Sequence, residues 1–143
     1  MKTLIALDGS LHSESILNMV AERHWEKSSL LRVVTVVGNC PQWDEQEQNL
    51  TQAKVILENR IENFKKRLPG IEISSAVLEG RASEEILKEA KIWLAEKIII
   101  GSHGDSGIRP NESDSMAAEI VNEAPCAVEI LKINRTNAFK GAN

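Results

Sequence analysis

The chain has 143 residues, 42% of them hydrophobic and 27% charged, the balance of one globular domain with a real core and too short for two. Its net charge of −4 gives no reason to expect nucleic acid as a partner, and no apolar run approaches the roughly 20 residues of a membrane span or forms a secretory h-region. Cys40 and Cys126 match neither a CxxC pair nor a zinc spacing and the three histidines are scattered, so a reducing cytoplasmic setting without a protein-built metal site is expected.

Apolar runs alternate with helical patterns from end to end, the order expected of an α/β domain with a parallel sheet. Strand 1 is read as Thr3 to Leu7, and a helix from about Ser13 to Lys27 places Ile16, Leu17, Val20 and Ala21 on one face. Strand 2 is Leu30 to Val37. A loop around "GNCPQWDEQ" precedes a long helix in which Leu50, Ala53, Leu57, Ile61, Phe64 and Leu68 keep three- and four-residue spacing until "PG" stops it. Its cluster Arg60, Lys65, Lys66 and Arg67 is interleaved with Glu58 and Glu62 and reads as a solvated face.

Strand 3 follows as Ile71 to Leu78, then the turn "EGRASEE" with Ser83 as expected N-cap of a helix through Ile86, Leu87, Ala90 and Trp93. Strand 4 is Lys97 to Gly101. A last helix is expected from Ser115 to Glu123, ended by "AP" before strand 5, Ala127 to Ile133. Residues 1–134 form the expected domain and 135–143 a frayed tail.

Strand character also predicts strand order. "LIAL" and "III" are continuously apolar, as strands covered on both faces should be, whereas "IEISSAV" and "VEILKI" mix polar and apolar positions as edges do. With right-handed crossovers this favours an open five-stranded parallel sheet in the order 3-2-1-4-5, two helices on each face. The winding then reverses between strands 1 and 4, and ligands of open α/β sheets bind outside the carboxyl ends of such a pair. Those ends read "LDGS" and "GSHG".

Asp8 stands at that crevice, where its carboxylate could accept hydrogen bonds from ribose hydroxyls or an exocyclic amine; capping the first helix, by Asp8 or Ser10, is the competing reading. Gly101 and Gly104 allow a ligand close to main-chain N–H groups, although a lone GxxG is a weak signal, being neither a Walker A loop nor a GxGxxG fingerprint. Ser115 adds a hydroxyl at an expected helix N-terminus, a favourable place for an anion. His103 has no Ser/His/Asp or Cys/His arrangement around it and is read as loop packing. Cys126 is read as core, and Trp25, Trp43 and Trp93 as packing rather than a stacking platform.

"LIALDGSLHSE", "VLEGRASEEIL", "IIIGSHG" and "APCAVEIL" together resemble the universal stress protein family over nearly the whole chain and in the right order. The family pattern G-x2-G-x9-G-[ST] is matched by Gly101, Gly104 and Ser115, with Asp114 where the third glycine belongs. The resemblance implies a five-stranded parallel sheet, often dimeric, and in the nucleotide-binding branch ATP in the crevice. By position, Ala6 and Asp8 would border the adenosine, Val36 would meet the base through its backbone and Gly101 would lie by the ribose. His103, Gly104, Ser115 and Met116 would line the phosphate path. The family also contains members that bind no nucleotide.

Position 114 bears on that choice. A carboxylate about 4 Å from a phosphate costs roughly 1 kcal/mol in water and roughly 4 at an intermediate dielectric, and Pro110 removes one more N–H donor from the expected loop. A Mg²⁺ ion bridging Asp114 and the phosphates would reverse the sign, whereas Asp114 or Ser113 capping the last helix would replace the anion internally. The leading expectation is a non-enzymatic stress-response or regulatory protein acting through dimerisation and contacts with an unidentified protein, with ATP binding weak or lost and Mg²⁺ entering only with ATP. An ATP-binding switch with slow hydrolysis is the alternative. A nucleotide-cleaving enzyme ranks last, because no nucleophile or base pair stands out. The dimer is expected through strand 5, whose edge self-pairing would cover, although Lys132 could instead protect it.

Overall fold

The computed structural model describes residues 1–7, 12–103 and 110–133, with backbone alone at 12, 102–103, 110–115 and 133. The described elements run β1 (Lys2–Leu7), α1 (His12–Ala21), β2 (Leu30–Val37), α2 (Trp43–Arg67), β3 (Glu72–Glu79), α3 (Ala82–Trp93), β4 (Lys97–His103), α4 (Pro110–Glu123) and β5 (Ala127–Ile133). All four strand pairings are parallel and give one sheet in the order β3-β2-β1-β4-β5. Strand order and direction are those expected from the sequence. The winding reverses at β1, which pairs with β2 on one side and β4 on the other.

Leu4, Ile5, Ile98, Ile99 and Ile100 are wholly buried, because β1 and β4 are central and covered on both faces. Ile5 and Ile99 join Ile16, Val20, Leu57, Ile61 and Phe64 in the core beneath α1 and α2. Leu4, Ile98 and Ile100 pack with Ile86, Ala90 and Ile120 beneath α3 and α4. Alternating residues of each strand serve opposite cores, as the two-residue period of a strand requires.

Four boundaries depart from expectation. α1 ends at Ala21, six residues early. Trp25 folds back so that its Nε1 donates to the Val20 carbonyl at 2.8 Å, filling a terminal acceptor, and Arg23 is drawn to Glu129 on β5. α2 begins at Trp43 inside the expected loop, with Asp44 and Glu45 in its first turn and Lys65, Lys66 and Arg67 in its last, charges that suit the helix dipole. Trp43 is 74% exposed and therefore not a packing residue.

β4 runs two residues past Gly101, with Ser102 and His103 in register with Lys132 and Ile133, so position 103 is strand and not loop. α4 begins at Pro110, five residues before the expected start. Proline at the first helical position loses no intrahelical bond, because that N–H has no helical partner anyway. The expected tail, 135–143, lies outside the described residues.

Candidate functional site

At the carboxyl edge of β1 and β4 the described residues enclose a crevice of about 90 Å³. Its walls come from six elements: Ala6 and Leu7 of β1, Ile16 of α1, Val36 of β2, Ala82 and Ile86 of α3, Gly101 of β4 and Met116 of α4. These side chains are small or aliphatic, and they make an apolar slot suited to the face of a flat ring or a sugar edge. The volume is that of about three water molecules, well short of the roughly 300 Å³ at which ligand pockets begin.

Four residues singled out in the sequence, Ala6, Val36, Gly101 and Met116, meet in this crevice. Asp8 and Gly104 lie outside the described residues. His103 closes β4, and Ser115 is the sixth residue of α4, in its second turn. Only the first four N–H groups of a helix lack an internal partner, so the backbone of Ser115 does not sit at an open helix start. The same shift removes Ser113 and Asp114 from the cap position expected of them: both are inside the helix. For a nucleotide, the adenosine end of the expected site fits the walls present, whereas the phosphate end loses the helix terminus on which it was based.

The universal stress protein family model matches residues 1–132. The chain belongs to the universal stress protein family. It is 25% identical over 139 residues to a universal stress protein of Mycolicibacterium smegmatis, covering 92% of this chain and 46% of that one, so it spans about half the length of that relative. It is 26% identical over 121 residues to universal stress protein MJ0577 of Methanocaldococcus jannaschii, covering 82% and 75% of the two chains. The solved structure of MJ0577 matches with a TM-score of 0.71 over 94% of this chain and 96% of that one. A universal stress protein of Archaeoglobus fulgidus, solved in complex with dAMP, matches at 24% identity with a TM-score of 0.65 over 92% and 98% of the chains.

This universal stress protein carries a polar clamp beside the crevice that sequence reasoning missed. Arg81, in extended conformation, holds the N-cap position of α3 without a side-chain capping bond, so Ser83 is not the cap. Ser83 is instead 4% exposed and donates from Oγ to Glu119 Oε2 at 2.5 Å. Arg81 pairs with Glu119 of α4 and with Glu84 at 3.2 Å. The Ser83 hydrogen bond, with Arg81 beside it, holds the Glu119 carboxyl below its ordinary range. Ala82 lies between Arg81 and Ser83, and Met116 is one turn before Glu119, so the clamp ties together two walls of the crevice. "S83…E119" at long separation leaves no local pattern, which is why the pair was illegible.

Gly80 begins the same turn at φ +136, a conformation L side chains rarely adopt, and an added Cβ would lie 2.9 Å from Glu85 Oε1. Its N–H donates to the Val37 carbonyl at 3.0 Å, fixing the turn against the end of β2. Among the described residues no helix is long and apolar enough to cross a membrane, and no group of three or more His, Cys, Asp or Glu could hold a metal ion.

Proposed function

We propose that the chain is a non-enzymatic, cytoplasmic regulatory protein of universal stress type that holds an adenine nucleotide weakly and acts through a homodimer and a protein partner. The observation that carries this reading is the crevice itself. Walls from β1, α1, β2, β4, α3 and α4 converge as aliphatic side chains, glycine and methionine, a lining suited to the face of an adenosine and not to proton transfer. The dAMP complex of the A. fulgidus neighbour supports an adenine nucleotide as the class of ligand. The small volume and the placement of Ser115 within α4 support weak binding of the phosphate end.

Calorimetry with Mg-ATP tests this. A ligand stabilises by RT ln(1 + [L]/Kd), so a millimolar Kd yields only about 0.4 kcal/mol at equal concentration. Wild type should show little stabilisation at millimolar Mg-ATP. Asp114→Gly should bind roughly ten-fold or more tightly if most of the 1 to 4 kcal/mol of repulsion is real, and Asp8→Ala in that background should reverse the gain. The glycine also weakens α4 by up to about 0.5 kcal/mol, so melting without ligand must be measured beside binding. Micromolar binding by wild type would instead favour the ATP-binding switch.

The proposed dimer uses β5. Ile130 is 45% exposed on β5, an edge strand of the sheet among the described residues, so an apolar side chain stands beside an edge that self-pairing would cover. Sedimentation at tens of micromolar, an order suited to modest interfaces, should show a dimer that Ile130→Asp dissociates. A wild-type monomer under those conditions would overturn the placement.

A further inference from the structure

Among the described residues, a compartment of about 300 Å³ lies on the opposite face of the sheet from the crevice, between Thr35–Val37 and the first half of α2. The two meet at Leu7 and Val36, which line both. In its second half α2 turns Leu57, Ile61 and Phe64 into the core. In its first half it places amides at i, i+3 and i+6: Gln46, Asn49 and Gln52. Asn49 and Gln52 line the compartment together with Arg60.

Two further observations single this place out, and a third lies one turn away on α2. Outside the lining, one turn before Asn49, Gln46 Oε1 accepts from the Cys40 N–H at 2.7 Å, while its Nε2 is buried with no partner among the described residues. The other such atom, Thr3 Oγ1, lies on β1 between β2 and β4. Arg60 is half-buried at the compartment and has no ion-pair partner among the described residues. Ile56 lines the compartment yet is 48% exposed. A cation without an ion-pair partner among the described residues and an uncovered aliphatic side chain share the lining, with an unmet donor one turn away on α2.

We infer that the α2 compartment is a second ligand site, independent of the adenine-nucleotide reading, for a planar heterocycle that carries a hydrogen-bond donor beside an acceptor and an anionic substituent. A carboxamide presents both a donor and an acceptor, so Asn49 or Gln52 can pair in bidentate fashion with such an edge. Leu7, Val36 and Leu57 supply apolar surface for the ring. Arg60 supplies a fork of donors matched to a carboxylate or phosphate.

Orotate, a pyrimidine with a lactam edge and a carboxylate, is the probe, and uracil is its neutral counterpart. Titrated into ¹⁵N-labelled protein, orotate should shift the side-chain amide signals of Asn49 and Gln52 saturably and leave Gly101 and Met116 in place. Uracil should bind about ten-fold more weakly, the expected size of a charge-assisted contact. Arg60→Leu should bring orotate down to the affinity of uracil. Gln52→Glu, which keeps size but replaces the NH₂ donor, should weaken both ligands, and thermal melting controls for loss of fold. Shifts confined to Gly101 and Met116 would assign the probe to the crevice and overturn the inference. So would equal binding by wild type and Arg60→Leu, or no shift at millimolar probe. Mg-ATP reports on Gly101 and Met116, so failure there would sink the nucleotide reading and leave this one standing.

Discussion

The two edges of the sheet are built differently. At the amino edge polar groups are largely paired within the chain, the buried Thr3 Oγ1 excepted: Lys2 Nζ donates to the Trp93 carbonyl at 3.2 Å and stands 5.6 Å from that indole's centroid, and the Lys2 carbonyl accepts from Glu96 N–H at 2.8 Å. Nearby, Glu129 of β5 takes Arg23 through Nη1 at 2.8 Å and Lys97 at 2.6 Å. The carboxyl edge has the opposite character, with small residues at Ala6, Ala82 and Gly101, voids that meet at Leu7 and Val36, and a Gln46 amide without a partner for its Nε2 among the described residues. Polar groups paired within the chain leave nothing for a ligand to satisfy. The edge that leaves room and unmet hydrogen-bonding capacity is the one where a ligand gains most.

The largest effect expected from this contrast is on stability. Ile99 is wholly buried at the centre of the sheet, and Ile99→Ala should cost about 2 to 5 kcal/mol through lost burial and the cavity left behind. Met116 is half-buried and already borders a void, so Met116→Ala should cost about 1 kcal/mol or less. Urea denaturation of the two variants measures the difference, and equal losses would mean that the carboxyl edge is as tightly closed as the centre.

A smaller effect tests the amino edge. The Arg23 hydrogen bond, then Lys97, holds the Glu129 carboxyl down to about 2 from an ordinary 4.5. A depressed folded-state value stabilises the fold above the unfolded value, and that contribution is lost as pH falls from 4.5 toward 2. Both partners keep roughly a third of their surface in water, so screening reduces the expected cost of Glu129→Gln at pH 7 to about 1 kcal/mol. Wild type should therefore lose more stability than Glu129→Gln between pH 5 and pH 3, an interval of about two units around the group's titration. Parallel losses would show that the ion pairs contribute nothing beyond geometry.

Part of this was legible before any coordinates. Hydrophobic patterning placed all five strands within about two residues of their observed ends, because strands covered on both faces admit only apolar side chains. The start of α4 was not legible. "RPNESDS" is polar throughout, so no apolar period marks a helix there, and proline at its first position reads equally well as loop. The early end of α1 was missed for a related reason: Trp25 and Arg23 leave the helix to reach Val20 and Glu129, and the second of these is 106 residues away.

The sequence by itself determined the element order, the central and edge strands and hence the place where the winding reverses, since burial and backbone pairing act on local composition. It also carried the family resemblance, because those motifs are contiguous. Only the tertiary structure decided what stands around that place. The Ser83–Arg81–Glu119 clamp, the meeting of Ala6, Val36, Gly101 and Met116, and the amide-lined compartment under α2 all join residues from different elements. Such juxtapositions depend on how helices pack across the sheet, and packing is a relation between distant segments that no local pattern encodes.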